Sequence, residues 1–193
     1  MKLYLRDIQE EMVDAWSEWF KDVKDVEVSC GDILELEADA VVSPANSWGF
    51  LDGGIDAAYR DFFGEELEKR LRTELKERYD SELPVGQAVI IPTEHPKIKW
   101  FISAPTMRIP QAVHNTPNAY LAFRAALRKI RELNGLVEIN SVLCPGLCTA
   151  IGCMPFKTAA KQMFFAYYTN WLRIVPKIDD WTDAVNLHLN MLS

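Results

Sequence analysis

Between Ala38 and Phe63 the chain reads ADAVVSPANSWGFLDGGIDAAYRDFF, and this stretch constrains the fold more than any other. Its consecutive apolar residues predict a strand over Asp39–Ser43 that is covered on both faces, because a strand with one wet face would alternate. Pro44, Asn46, Gly49, Gly53 and Gly54 then make a turn-rich loop, and Ile55-Asp56-Ala57-Ala58 opens a helix running from Asp56 to Phe63. Strand, glycine-rich loop and helix N-terminus together present backbone N–H groups to a phosphate. The stretch therefore predicts a doubly covered sheet and a phosphorylated, nucleotide-like ligand.

The rest of the chain fits that sheet. Lys2–Leu5 reads as an edge strand. A helix follows from Asp7, with Ile8, Met12, Trp16 and Trp19 at helical spacing. Val26 and Val28 alternate with polar neighbours as a half-buried strand, which Cys30-Gly31-Asp32-Ile33 breaks. A charged helix spans about Glu65–Arg78, a turn lies at Leu83–Gly86, and strands lie at Ala88–Ile91 and Trp100–Ala104. Thr116-Pro117 starts a helix with the stripe Tyr120, Phe123, Leu127 and Ile130, closed by Asn134-Gly135. A strand over Ile139–Cys144, a small-residue loop from Pro145 to Met154 and a helix from Pro155 to Trp171 follow. The tail turns at Pro176 into a short amphipathic helix carrying Trp181, Val185, Leu187 and Leu189. Alternating strands and helices predict an α/β fold with a mixed, largely parallel sheet. Ligands of such folds sit beyond the carboxyl ends of the strands. The loops at Cys30–Ile33, Pro44–Gly54 and Pro145–Met154 each follow a predicted strand and should share one rim.

Composition narrows the function. The 193 residues carry a formal net charge of −7, which argues against nucleic acid as a general partner. No apolar run is long enough to span a bilayer, and Lys2 and Arg6 interrupt the first residues too early for a signal peptide, so no membrane association and a cytoplasmic location are expected. Cys30, Cys144, Cys148 and Cys153 should then be reduced. Their spacing is not that of a zinc site, and His95, His114 and His188 are scattered, so neither metal nor cofactor is expected.

Three segments, in order, resemble the macrodomain, the ADP-ribose-binding and ADP-ribose-1″-phosphate-processing α/β family. Gly31-Asp32-Ile33 matches a G-D-I turn. Ala40–Ser47 followed by Gly53-Gly54-Ile55-Asp56 resembles the D-A-I-V-N-A-A-N and G-G-V-D block. Pro145-Gly146-Leu147-Cys148-Thr149-Ala150-Ile151-Gly152-Cys153-Met154 resembles a second phosphate loop. The resemblance spans about residues 26–168. It implies a three-layer α/β/α macrodomain-like domain over 1–193, with the N-terminal strand and helix and the C-terminal helix as additions. Cys148, Ala150 and Cys153 stand where relatives commonly carry glycine, and Leu51-Asp52 where further glycine is common. The family's final strand has no clear counterpart.

The resemblance also implies roles. Asp32, with Ile33, would accept from an adenine amino group; as a plain turn carboxylate it needs no ligand. Asn46 would hold the distal ribose hydroxyls, or close its own loop as an Asx-turn. Gly53, Gly54 and Ile55 would pass close to the distal ribose and phosphate. Gly146, Cys148, Thr149, Ala150, Ile151 and Gly152 would cradle the diphosphate. Asp56 would position or activate water at the anomeric carbon, with Asn46 orienting the sugar; equally, an acid there favours the helix dipole. Cys148 and Cys153 read as small residues filling glycine-like positions, or as thiols activated by a helix N-terminus. The expected partner is ADP-ribose or an ADP-ribosylated substrate, and the expected reaction hydrolysis of an ADP-ribosyl bond. The alternatives are a non-catalytic ADP-ribose-binding module, or a hydrolase acting on ADP-ribose 1″-phosphate or a related nucleotide.

Overall fold

A computed structural model describes residues 1–133 and 135–192. In chain order these residues form β1 (Lys2–Asp7), α1 (Glu10–Phe20), β2 (Val26–Cys30), β3 (Ala40–Ser43), α2 (Gly54–Phe63), α3 (Glu66–Arg78), β4 (Val89–Pro92), β5 (Trp100–Ser103), α4 (Asn118–Glu132), β6 (Ser141–Cys144), α5 (Phe156–Asn170) and α6 (Trp181–Leu192). A single 3-10 turn at Ile33–Glu35 follows β2. The strands make one sheet in the order β2-β1-β6-β3-β5-β4. All pairings are parallel except β4 against β5. The mixed, largely parallel α/β sheet read from the sequence is therefore present.

The central strands show why their sequences do not alternate polar with apolar. Ala40, Val42, Val142, Cys144 and Ile102 point into one apolar layer, while Val41, Leu143 and Phe101 point into the other. The first layer is closed by α1, α4 and α5, through Met12, Trp16, Phe123, Leu127, Ala159 and Met163 among others. The second is closed by α2 and α3 through Tyr59, Leu67, Leu71 and Leu75. Each layer removes large apolar side chains from water at roughly 25 cal/mol per Å². Two large polar side chains inside find partners: the Trp16 indole N–H lies 3.4 Å from the Met163 sulfur, and the Tyr59 hydroxyl donates to the Val42 carbonyl at 3.1 Å, whereas the buried Ser47 and Ser103 hydroxyls have none among the described residues.

Several boundaries and faces differ from the sequence expectations. β1 is an interior strand, paired with β2 on one side and β6 on the other, so β2 takes the edge. Its short run is completed by Arg6 and Asp7, whose polarity hid the full strand. Ile8 precedes α1 and is exposed; the buried stripe is Met12, Ala15, Trp16 and Phe20, with Trp19 only half-buried. α3 does present a charged outer face, but Leu67, Leu71 and Leu75 are buried beneath it. Tyr120 is half-buried at the start of α4. α4 ends at Glu132; of the expected stop, Asn134 lies outside the described residues, while Gly135 has a left-handed φ of 93°. In α6, Trp181 and Leu189 are exposed, and Met191 is the buried anchor: its carbonyl accepts from the Gln162 side chain at 3.0 Å. Among the described residues no strand follows α5.

Candidate functional site

Because β1, β2, β3, β5 and β6 run parallel, their C-terminal ends share one rim. The Gly31–Ile33 turn, the Pro44–Gly54 loop and the Pro145–Met154 loop all leave from it. β3 and β6 are direct neighbours, which sets the two long loops side by side. β1 separates β6 from β2, so the Gly31–Ile33 turn stands one strand further out.

The β3–α2 loop is built on Asn46. Its side-chain oxygen accepts from the N–H groups of Trp48 (3.0 Å) and Phe50 (3.3 Å), and its side-chain nitrogen donates to the Phe50 carbonyl at 2.7 Å. The amide thus closes its own loop, with one N–H bond left uncommitted. Gly49, at φ 72°, lets the same loop press onto Leu71 and Leu75 of α3. Gly53 and Gly54 are exposed, and a Cβ on either would meet nothing within 4 Å. Gly54 adopts φ 55°, which glycine takes at no steric cost. With half-buried Ile55, these glycines lead into the first turn of α2, whose N–H groups have no helical acceptor.

Asp56 lies in that first turn and turns inward. Its carboxylate accepts from the Ser43 hydroxyl at 2.6 Å. Ser43 is fully buried at the end of β3, so the pair joins the strand to the helix across the base of the loop. Desolvation pushes the Asp56 carboxyl up to about 7; the Ser43 hydrogen bond opposes that rise, and the nearby Asp52 charge adds to it. The residue keeps partial solvent access. A half-buried carboxyl that titrates near neutrality can exchange a proton with a ligand or water at working pH.

The β6–α5 loop is folded tightly on itself. The Gly146 N–H donates to the Asp7 carboxylate at 2.9 Å, so this expected phosphate donor is committed inside the protein. The N–H of Met154 reaches the Cys148 carbonyl at 2.9 Å, that of Cys153 the Ala150 carbonyl at 3.0 Å, and that of Val113 the Gly152 carbonyl at 2.8 Å. Among the described residues, the N–H groups of Cys148, Thr149, Ala150, Ile151 and Gly152 find no acceptor in the protein. Ala150 and Ile151 are exposed and Thr149 half-buried, so these three form the loop's open donor face, while Cys148 and Gly152 are buried. Cys148 and Cys153 take φ of 67° and 52°, the left-handed conformation that favours glycine. Burial lifts the Cys148 thiol up to about 12, contrary to an activated thiolate at this position. All four cysteines are unpaired.

In the outer turn, the Asp32 side chain accepts from the Leu34 N–H at 2.9 Å, capping the short 3-10 turn, and is otherwise exposed; Ile33 is buried beneath it. Arg6 holds this turn in place. Its guanidinium donates to the Asp32 carbonyl (2.8 Å), the Ser29 hydroxyl (3.1 Å) and the Glu35 carboxylate (2.7 Å). Arg6, Asp7 and Ser43 were not among the residues singled out from sequence. Each acts by supporting a loop from an adjacent strand, and only strand pairing brings it there; no local motif marks it. Among the described residues no group of three His, Cys, Asp or Glu side chains could hold a metal ion, and no helix is long and apolar enough to cross a membrane.

The result is an α/β/α sandwich whose polar loops collect at the carboxyl rim of a mostly parallel sheet. The sequence profile of the Macro domain matches residues 42–163. An uncharacterized protein of Aquifex aeolicus is 36% identical over 139 residues, covering 72% of this chain and 78% of that protein. A macro domain-containing protein of Listeria monocytogenes is 29% identical over 135 residues, covering 70% and 74%. Among solved structures, the macrodomain of Mycobacterium tuberculosis DarG aligns with a TM-score of 0.62 at 22% identity, over 73% of this chain and 88% of that one. A variant of the Oceanobacillus iheyensis macrodomain with ADPR aligns at 0.60 and 21% identity, over 70% and 72%. This chain belongs to the Macro domain family.

Proposed function

We propose that the chain binds ADP-ribose, or a derivative of it, along the carboxyl rim, and hydrolyses the bond between the distal ribose and an attached group. Asp32 receives the adenine amino group. The uncommitted N–H groups of the Cys148–Gly152 run, with Thr149, Ala150 and Ile151 at its accessible centre, hold the diphosphate, and the Gly53–Gly54 segment leaves room for the distal ribose. The observation that carries the catalytic part is Asp56: an inward carboxyl titrating at about 7, held by Ser43 at 2.6 Å behind the exposed glycines. In this reading a water oxygen bonds to the anomeric carbon as the carbon–leaving-group bond breaks. The Asp56 carboxylate takes the water proton and returns it to the departing group. The Oceanobacillus iheyensis macrodomain variant solved with ADPR supports the choice of ligand.

A second reading, binding without turnover, is favoured by Asn46, whose amide is largely committed to its own loop. The experiment that separates them is Asp56→Ala, assayed for release of ADP-ribose from mono-ADP-ribosylated protein and for ADP-ribose affinity by calorimetry. Loss of turnover with affinity kept within about threefold (under 1 kcal/mol) supports catalysis. Unchanged turnover overturns the role of Asp56, and absence of ADP-ribose binding by the wild-type chain overturns the whole reading.

A further inference from the structure

A concavity lies between the Trp48–Phe50 part of the β3–α2 loop and the exposed face of α3. It measures about 270 Å³ and is lined by Trp48, Phe50, Arg72, Thr73, Lys76 and Ser81. Its charges are unusual for this chain. α3 carries five basic residues. Three are neutralised: Lys69 pairs with Glu66, Arg70 with Glu94 and Arg78 with Glu74. Arg72 and Lys76 form no ion pair among the described residues, and they stand one helical turn apart, both lining the cleft. Glu68, one turn before Arg72, is held by the Leu51 N–H at 2.9 Å. A chain with a net charge of −7 thus keeps two unneutralised cations at one place.

The loop that carries the neighbouring rings is tied down. The Arg72 guanidinium lies 4.4 Å over the Phe50 ring, and Arg108, itself paired with Glu82, lies 5.2 Å from the Trp48 ring centroid. Asn46 ties the Phe50 backbone at both its N–H and its carbonyl, and Gly49 seats the loop on Leu71 and Leu75. Flat aromatic and guanidinium surfaces stack bases, while a free ammonium and guanidinium hold a phosphate. We infer that this cleft binds a nucleotide monophosphate, its base against Trp48 and the Arg72–Phe50 stack and its phosphate at Lys76 and Arg72. The phosphate can belong to a free nucleotide or to one unit of a single strand.

Calorimetry on the full chain tests this, with the rim first saturated with ADP-ribose. The probes are uridine, UMP, inorganic pyrophosphate, phenyl phosphate and a short uridylate oligomer. UMP should bind saturably, and more tightly than uridine, pyrophosphate or phenyl phosphate. Arg72→Gln with Lys76→Gln should weaken UMP about tenfold or more at unchanged melting temperature, and Phe50→Leu about fivefold or more. An oligomer binding over tenfold tighter than UMP assigns the cleft to a single strand, and equal affinity assigns it to a free nucleotide; both support the inference. No saturable UMP binding, equal affinity for a bare anion or phenyl phosphate, or unchanged UMP affinity in the double variant would overturn it. UMP binding without any ADP-ribose binding would defeat the proposed rim function and leave this cleft standing; the reverse would defeat the cleft alone.

Discussion

Replacing Asp56 by Asn should stabilise the protein at pH 8 and leave it unchanged at pH 4. The carboxyl is raised from 3.8 to about 7 in the fold, chiefly by desolvation. The folded state therefore holds a proton that the unfolded chain has lost, at every pH between those values. Stability then falls as pH rises through this window and levels off above pH 7. Below 3.8 both states are protonated and the penalty vanishes. A shift of about three units at 1.36 kcal/mol each sets a ceiling of roughly 4 kcal/mol. Partial solvent access reduces this to about 2 kcal/mol. Asn keeps an oxygen to accept from Ser43, so the 2.6 Å hydrogen bond has a neutral substitute. For a chain of this size about 2 kcal/mol corresponds to roughly 4–8 °C in Tm. Thermal melts of both proteins at pH 4, 5, 6, 7 and 8 check it. The difference should open between about pH 4 and 7, because the other titrating groups cancel in the subtraction. A constant difference across the series, or a variant less stable at pH 8, would refute the argument that Asp56 is held against its charge.

Three further outcomes follow from the loops. A Cβ on Gly152 would sit 2.4 Å from the Cys148 carbonyl oxygen, so Gly152→Ala should cost about 2 kcal/mol or more in denaturant unfolding. Gly53→Ala should leave the melting temperature within about 1 °C, since its Cβ meets open space at an ordinary φ of −146°; on the proposed function it should still weaken ADP-ribose binding measured by calorimetry. Arg6→Lys keeps the charge but loses the fork that bonds Asp32, Ser29 and Glu35 at once, which should cost about 1–2 kcal/mol by chemical denaturation and raise hydrogen exchange in the Gly31–Glu35 turn.

The layers were legible because burial on both faces leaves a direct mark in sequence. Val41 and Val42 cannot both face one side, so adjacent apolar residues there demand two covers, and α2 and α4 are patterned to supply them. β1 was misplaced because the same mark is faint in it. Leu3 and Leu5 are fully buried, but Lys2, Tyr4, Arg6 and Asp7 intervene, and only pairing with both β2 and β6 reveals the interior position. α6 was harder still: a tail helix that buries Met191 alone has no stripe to find, and its conspicuous Trp181 faces solvent.

At the rim, sequence located the loops but not the fate of their polar groups, and the difference is physical. Glycine and asparagine mark where a chain turns, whereas an N–H is open or closed according to acceptors contributed from elsewhere. Gly146 looks like Gly152 in the sequence, yet Asp7, 139 residues away, takes its N–H. Asn46 looks like a sugar-binding amide, yet Phe50 and Trp48 occupy most of it. Ser43 showed no role in sequence, yet its hydroxyl holds the inward Asp56 carboxylate at 2.6 Å and offsets part of its desolvation. Cys148 and Cys153 invert the lesson. Their left-handed backbones preserve the loop path that glycine would give, so the extra side chains do not by themselves unfold the donor run from Cys148 to Gly152. What they change lies around that path: a buried thiol fills space beneath the loop, and an exposed one stands at its far end. On the proposed function, the exposed Cys153 side chain costs phosphate affinity only by crowding the loop, so Cys153→Gly should bind ADP-ribose at least as tightly as the wild type in calorimetry, and weaker binding would refute this.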